Sequence, residues 1–387
     1  MAALRFIPIL LVLIAVQIGL WSALCALFFP RPEQLPQRRK LGLGLAALAL
    51  FFVCFMAAAR SGVQLAAPMR EFLVEPLLAL EVLSIPLMLA LGFALSVARR
   101  MPAAVSAGEL AEPRRVFLAR AATGLIGATG AAAVIGIEQA ELSPQLTRHQ
   151  IPIRGLHTDL DGLQILHLSD IHAGALMSEE RMLRITRAAA ALQPDLVVLT
   201  GDLLDVSPCA AGPFSRAFRE LRGKLGTFAI FGNHDYFAGA RETERAVRDA
   251  GAMLLRNSGA RVERGRGSLF IGGVDDPSRG ALGVDPARAL RAAAPEEPRI
   301  MLAHRPSLFE LCAKAGAQLV LSGHTHGGQI AFSPQWSLAR LLGPYTMGLY
   351  RHEGAHLYVH RGMGTVGPVP VRLGSAPEIA LLTLRRV

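Results

Sequence analysis

The sequence predicts an α/β domain that follows a set of membrane-spanning helices. Two observations carry this prediction. Residues 1–137 contain four long apolar stretches, and the whole chain of 387 residues is 52% hydrophobic and only 18% charged. From about residue 150 short apolar strands alternate with helical segments, the pattern of strand–helix–strand units. We therefore expect a transmembrane region over 1–137, a linker over 138–150 and a folded domain over 151–387.

The four apolar stretches each have about the 20 residues that a helix needs to cross a hydrocarbon core. They predict a bundle of four transmembrane helices and a multi-pass protein of the inner (plasma) membrane, with the lipid bilayer as a partner. The formal charge of +10 lies mostly between these stretches, which is typical of membrane topology and argues against nucleic-acid binding. The expected spans are 7–29, 41–59, 76–97 and 117–137.

The distribution of Lys and Arg predicts the orientation. Loops 30–40 and 98–116 are richer in these residues than the N-terminus and loop 60–75, so both richer loops are expected in the cytoplasm. The folded domain then lies on the outer, periplasmic side. The segment around Arg114 and Arg115, followed by the apolar run 117–137, resembles a twin-arginine export signal. The alternative is that both arginines are ordinary cytoplasmic anchors, and retention or cleavage of 117–137 stays open.

Five strands of the polar half end in residues that can bind metal ions. The predicted strands cover 163–168, 195–200, 227–231, 299–303 and 318–321, and helices are expected over 178–192, 213–222, 239–250, 284–294 and 306–315. In open α/β sheets, sites form beyond the carboxyl ends of the strands. The residues at these ends are Asp170-Ile171-His172, Gly201-Asp202, Gly232-Asn233-His234-Asp235, His304 and Gly323-His324-Thr325-His326.

This donor set suits divalent ions such as Mn, Fe or Zn, because it combines carboxylate, amide oxygen and imidazole. Asp170 and His172 are two residues apart and can reach one ion from a single loop. His324 and His326 can do the same with one imidazole for each ion. The sequence has no Walker-type phosphate loop, and its four cysteines suggest neither a metal site nor a disulfide framework; whether Cys209 and Cys312 pair is left open.

The five motifs, in this order, resemble those of the calcineurin-like metallophosphoesterase superfamily, which read D-x-H, G-D-x-x-D, G-N-H-D/E, H and G-H-x-H. The resemblance implies a four-layer αββα sandwich with two divalent metal ions. It also implies that Asp202 bridges the two ions with one carboxylate oxygen for each. The implied ligands are Asp170, His172 and His326 for the first metal, and Asn233, His304 and His324 for the second.

The same resemblance implies a role for the remaining motif residues. His234 would face the scissile group as a proton donor, and Asp235 would orient it by accepting the other ring N–H. Asp205, the last residue of G-D-x-x-D, would lie behind the ligands. Two ions about 4 Å apart clamp a phosphoryl group and activate water, so the expected reaction is hydrolysis of a phosphodiester or pyrophosphate bond.

The C-terminal part of the sequence suggests a class of substrate. Residues 358–365 and 377–379 resemble a bacterial, membrane-associated or exported branch of the superfamily, with some members similar to enzymes that hydrolyse UDP-2,3-diacylglucosamine. The segment 329–350 is rich in aromatic and apolar residues, which suits a lipid-linked phosphate substrate or packing over the core. An outward-facing domain does not fit a cytosolic nucleotide-sugar lipid. Two alternatives stay open, a phosphomonoesterase with the same site and a polytopic transport or sensor protein whose domain only binds metal. The sequence does not predict an oligomeric state.

Overall fold

The chain forms two compact units in a computed structural model. One unit comprises residues 1–58 and 66–137, and the other comprises 138–387 with 59–65. The structure describes residues 7–29, 31–60, 111–278, 280–331, 333–341, 343–366 and 370–387, with six further positions between 77 and 91.

The N-terminal unit is helical where it is described. Its helices are Ile7–Phe28, Leu35–Arg60 and the first part of Ala111–Glu141, with a short 3-10 turn at Pro32–Gln34. By length and composition, Ala119–Glu141 is the one helix of the described ranges that could cross a bilayer, and the apolar helical segment Ala15–Cys25 is shorter. The predicted span 76–97 lies largely outside the described residues. The expected bundle of four spans is therefore not supported beyond this one helix.

The C-terminal unit contains two six-stranded sheets. The first sheet has the order β1-β12-β2-β3-β4-β5, and the second has the order β10-β11-β9-β8-β7-β6. The strands are β1 Gln145–Ile153, β2 Gln164–Leu168, β3 Leu196–Thr200, β4 Gly226–Ile230, β5 Met253–Leu254, β6 Ser258–Arg264, β7 Gly267–Gly273, β8 Arg299–Leu302, β9 Leu319–Ser322, β10 Gly348–His352, β11 Ala355–Val359 and β12 Glu378–Arg386.

The two sheets pack face to face and helices cover both outer faces, so the expected four-layer sandwich is observed. The central layer joins side chains such as Val198 and Ile230 of the first sheet to Ile300 and Leu321 of the second. Phe214 lies in the core between the first sheet and its helices. The helices of this unit are Glu179–Ala190, Ala211–Phe218, Asn233–Ala238, Ala240–Asp249, Pro286–Leu290 and Phe309–Lys314.

The predicted elements agree with the observed ones to within a few residues at most boundaries. Ser178 caps the first helix of the unit, and its hydroxyl accepts a hydrogen bond from the backbone N–H of Arg181. Cys209 and Cys312 are both free. The strands β2, β3 and β4 are parallel to one another in the first sheet, and β8 is parallel to β9 in the second. The carboxyl ends of β2, β3 and β4 therefore lie on one side of the first sheet, and those of β8 and β9 lie on one side of the second. Their polar termini can therefore meet in one place.

Candidate metal centre

The first cluster of donor atoms comes from the loops after β2 and β9. Asp170, His172 and His326 present ligand atoms that lie within 4.8 Å of one another. The Nε2 atoms of the two imidazoles face each other at 3.0 Å, and Asp170 Oδ1 lies 3.3 Å from His326 Nε2. The Asp170 carboxylate also accepts the backbone N–H of His324. This contact fixes the loop after β9 against the loop after β2.

The second cluster combines Asp202, His304 and His324. Asp202 Oδ2 lies 3.2 Å from His304 Nε2, and His324 Nδ1 lies 3.2 Å from the same His304 atom. All three side chains belong to loops that follow strands, after β3, β8 and β9. Carboxylate and imidazole in this arrangement suit the divalent ions predicted from the sequence.

Asp202 connects the two clusters through one oxygen atom. Its Oδ2 lies 3.7 Å from His172 Nε2 in the first cluster and 3.2 Å from His304 Nε2 in the second. Its Oδ1 accepts the backbone N–H of His234 at 2.8 Å. Oδ2 therefore faces both clusters, and the expectation that Asp202 bridges two ions with one carboxylate oxygen for each stays a prediction.

Asn233 provides an independent test of whether the site fits metal ions. Its Oδ1 is buried and has no hydrogen-bond partner among the described residues. A buried polar atom without a partner costs about 1–3 kcal/mol, so such an atom is rare in a folded protein. Asn233 begins the helix Asn233–Ala238 directly after β4, beside the backbone N–H of His234 that donates to Asp202. An amide oxygen left open in this place fits an oxygen ligand of a hard cation.

His234 is held by Asp205. Its Nδ1 lies 3.0 Å from Asp205 Oδ1, and the same oxygen lies 3.3 Å from His172 Nδ1. Asp235 instead accepts the backbone N–H groups of Leu203 and Leu204 with Oδ1 and that of Gly232 with Oδ2. The expectation that Asp235 orients the ring of His234 is therefore wrong, and Asp205 is the acceptor.

The pKa values show how strongly these groups interact. Burial alone lowers the pKa of His304, but the adjacent Asp202 carboxylate outweighs burial and raises the pKa to about 10. In the same way, Asp202 and Asp205 overcome burial and raise the pKa of His234 to about 9. Burial lowers the pKa of His326 to about 4, even though Asp170 acts in the opposite direction. Burial, reinforced by the Asp202 carboxylate, raises the pKa of Asp235 to about 7.

The backbone of the site adopts conformations that are rare for residues with a side chain. Five of the candidate ligands have positive φ angles of 50° to 73°, a region in which residues other than glycine are uncommon. Such strain persists only where the surrounding structure enforces it, and it is concentrated at functional sites. The five residues are Asp170, His172, Asp202, His324 and His326.

Two neighbours of the site contribute no candidate ligand atom but pack directly against the ligands. Arg372 is fully buried, and its Nη2 lies 3.3 Å from His326 Nδ1. Gly232 packs so closely that a Cβ atom there would lie 2.2 Å from Asp202 Oδ1. The glycine could be inferred from the motif, whereas Arg372 belongs to a C-terminal loop whose contact with the centre depends on the fold.

A sandwich of this kind, with carboxylates and imidazoles converging in two adjacent clusters, defines a metal-dependent phosphoesterase. The profile of the calcineurin-like phosphoesterase family matches residues 163–328. A transmembrane protein with metallophosphoesterase domain from Danio rerio is 33% identical over 308 residues, which cover 76% of this chain and 68% of that protein. The chain belongs to the calcineurin-like metallophosphoesterase family, whose members use a centre of two divalent metal ions.

Two further proteins are similar. An uncharacterized metallophosphoesterase from Aquifex aeolicus is 32% identical over 228 residues, which cover 58% of this chain and 85% of that protein. A crystal structure of a dimetal phosphatase from Danio rerio is 10% identical with a TM-score of 0.39, and it covers 58% of this chain and 93% of that one.

Proposed function

We propose that this phosphoesterase is anchored in a membrane and hydrolyses a phosphodiester or pyrophosphate bond in a lipid-linked substrate. The observation that carries the two-metal proposal is the position of Asp202 Oδ2, 3.7 Å from His172 Nε2 and 3.2 Å from His304 Nε2. In this proposal Asp202 would lie between the two ions as a shared ligand. Asp170, His172 and His326 would hold the first ion, and Asn233, His304 and His324 would hold the second.

The bound ions would supply an activated water and neutralise the charge of the phosphoryl group. The chain itself supplies a proton. His234 is oriented through Nδ1 by Asp205, which leaves its Nε2 for the substrate. Its pKa of about 9 keeps the ring protonated at neutral pH. His234 can therefore stabilise negative charge on the phosphoryl group and protonate the leaving oxygen.

Asp205 and Asp235 have separate tasks in this proposal. Asp205 positions the proton donor His234 and the ligand His172 with the same carboxylate oxygen. A carboxylate behind a metal-bound imidazole fixes its tautomer and orientation. Asp235 holds the loops after β3 and β4 together through three backbone N–H groups. It acts on the shape of the site and not on the proton.

Three observations support attachment to a membrane and a lipid-linked substrate. The helix Ala119–Glu141 could cross a bilayer, and the relative from Danio rerio is named a transmembrane protein. Thr346 of the aromatic segment 329–350 contacts the last metal motif, because its carbonyl accepts the hydroxyl of Thr325 at 2.5 Å. The charge distribution of the loops favours a multi-pass protein with the catalytic domain on the periplasmic side.

Metal analysis and a substrate screen of the purified full chain test the proposed reaction. We expect two divalent ions per chain and faster hydrolysis of diesters or pyrophosphates than of monoesters. His234→Ala should leave the metal content unchanged and abolish most turnover. His352→Ala, a change at an exposed residue, is the matched control and should leave both unchanged. A preference for monoesters would replace the proposed reaction with the phosphomonoesterase, and full turnover of His234→Ala would refute its role.

The side of the membrane on which the catalytic domain lies can be tested by thiol labelling, because Cys209 is exposed in this domain. A thiol reagent that cannot cross membranes should label Cys209 in intact spheroplasts if the domain faces the periplasm. Cys209→Ser controls for the other exposed cysteine, Cys54. Labelling of Cys209 only after lysis would place the domain in the cytoplasm.

A further inference from the structure

Several large apolar side chains of the C-terminal unit are exposed on two neighbouring segments. Trp336 and Leu341 are 77% and 86% exposed in the segment after the last metal motif. Leu142 and Leu146 are 54% and 42% exposed just after the helix that ends at Glu141. We call these four residues the Trp336 surface. Exposed apolar groups of this size have a cost in water and mark interaction sites when they lie together.

The last turn of the helix is fixed to the catalytic unit. Gln139 Oε1 accepts the backbone N–H of Gly374 at 3.0 Å. Arg181, which is 6% exposed, donates to the carbonyl of Ala140 and pairs with the carboxylate of Glu141. The position where the helix ends is thus a defined point on the surface of this unit.

A short path of backbone contacts leads from that point to Trp336. Next to Gly374, the carbonyl of Leu373 accepts the N–H of Ala331 at 2.8 Å. Ala331 in turn forms a bridge with Ser337, the neighbour of Trp336. Each bridge spans about 4.8 Å, so the backbone next to Trp336 lies about two strand spacings from the loop that holds the helix end.

We infer that the Trp336 surface lies against the lipid bilayer, at the level of the headgroups. This inference rests on the proposed membrane attachment by Ala119–Glu141. A helix that spans the bilayer and ends at Glu141 brings its last turn to the membrane–water interface. The residues nearest that turn then lie at the interface as well. Tryptophan is enriched at this depth because one end of its ring system is apolar and the other donates a hydrogen bond.

The positive charge of Arg340, next to these residues, also suits contact with a lipid bilayer. Arg340 lies between Trp336 and Leu341 in sequence and is exposed, with one guanidinium N–H donating to Pro344 O. Arginine places its aliphatic part along apolar surface and its charge among polar groups, and lipid phosphates accept such donors. The segment also contacts the residue that follows the last metal motif, because Ser337 Oγ donates to Gly327 O at 2.8 Å. Docking would therefore place a metal motif next to the membrane.

The two tryptophans of the chain allow a direct test. Trp21→Phe leaves Trp336 as the only tryptophan. This variant is reconstituted as the full chain in phosphatidylcholine vesicles with or without bromine on the acyl chains near the glycerol. We expect bromolipid to quench the fluorescence strongly and aqueous iodide to quench it weakly. Iodide quenching without bromolipid quenching would overturn the docking inference.

Two further measurements separate docking from catalysis. Adding Leu341→Gln to Trp21→Phe should reduce bromolipid quenching and leave hydrolysis of a small soluble diester unchanged, because Leu341 is exposed and contributes no donor atom. The soluble diester is assayed on the same vesicles. Turnover without bromolipid quenching refutes the docking alone. Quenching without turnover of any phosphoester refutes the proposed reaction and leaves the docking in place.

Discussion

The two clusters of the metal centre differ in what holds their histidines from behind. In the second cluster His304 Nδ1 donates to the carbonyl of Thr200 at 2.8 Å. In the first cluster His172 Nδ1 faces the Asp205 carboxylate, whereas His326 Nδ1 faces the guanidinium of Arg372. An acceptor behind the ring leaves Nε2 free for a metal ion, and a cation behind the ring does not.

The two clusters also differ in the protonation of their histidines. The pKa of His304 is raised to about 10, so this ring is protonated at neutral pH before a metal ion binds. The pKa of His326 is lowered to about 4, so this ring is already neutral. The second cluster therefore releases a proton when it takes up an ion, whereas the first must move a hydrogen within the His326 ring. The two sites are therefore expected to respond differently to pH.

Asp202→Asn should have the largest effect because Oδ2 of Asp202 faces both clusters. We expect loss of both ions and a fall in kcat of about a thousandfold, which corresponds to about 4 kcal/mol of lost charge stabilisation. Metal analysis and diester hydrolysis provide the measurements, with Asp249→Asn as an exposed control. Retention of one ion with full occupancy would show that the clusters are independent.

Asp205→Asn should have the next largest effect. It removes the carboxylate behind both His172 and His234, and the loss of such a partner lowers activity or metal affinity about 10- to 100-fold. Asp235→Asn is the informative comparison. It should lower the free energy of unfolding by about 1–3 kcal/mol, because the amide keeps one acceptor oxygen and turns an NH2 group towards the other buried N–H partner. It should leave the pH profile of the folded fraction unchanged. An altered profile in Asp235→Asn alone would restore the role predicted from the sequence.

The smallest effect in a single step, about tenfold for one pH unit, is expected for the pH dependence of metal affinity. His326→Ala leaves the second cluster, where affinity should rise about tenfold for each pH unit between 6 and 8, because a proton with a pKa near 10 must leave His304. His304→Ala leaves the first cluster, where His326 has no proton to lose in this range and this rise should be absent. Calorimetric titration with Mn²⁺ at several pH values measures both slopes. Equal slopes would contradict the comparison.

The sequence predicted the part of the fold that depends on local patterns. Runs such as Leu196–Leu199 are apolar throughout, which is typical of strands buried on both faces, and the glycine and aspartate that follow end them. The strand ends then placed the ligands, because parallel strands bring their carboxyl ends together. The position of β12 between β1 and β2 was not predicted, because these pairings join distant segments. The hairpin of β6 and β7 is local, with Gly265 and Arg266 between its strands, and it was not predicted either.

The contacts that Asp205, Asp235 and Arg372 make at the site could not be predicted from the sequence for a related reason. Asp235 is adjacent to His234 in sequence, whereas Asp205 lies 29 residues before it, and residue spacing does not show which carboxylate points to the ring. The position of Asp235 at the start of a helix turns it towards backbone N–H groups instead. Arg372 is separated from His326 by 46 residues, so no local pattern connects them. The ligand roles themselves stay predictions.

The left-handed backbone at five candidate ligands has a consequence for laboratory evolution. Each such residue costs about 1–2 kcal/mol relative to glycine. At Asp170 the contact of the carboxylate with the backbone N–H of His324 offsets this cost, so the metal-free chain would gain heat resistance mainly by replacing His324. A thermal selection carried out in chelator should enrich glycine at His324 and yield stable but inactive proteins. Engineers who want a tougher catalyst should keep these positions fixed and diversify the far end of the sandwich.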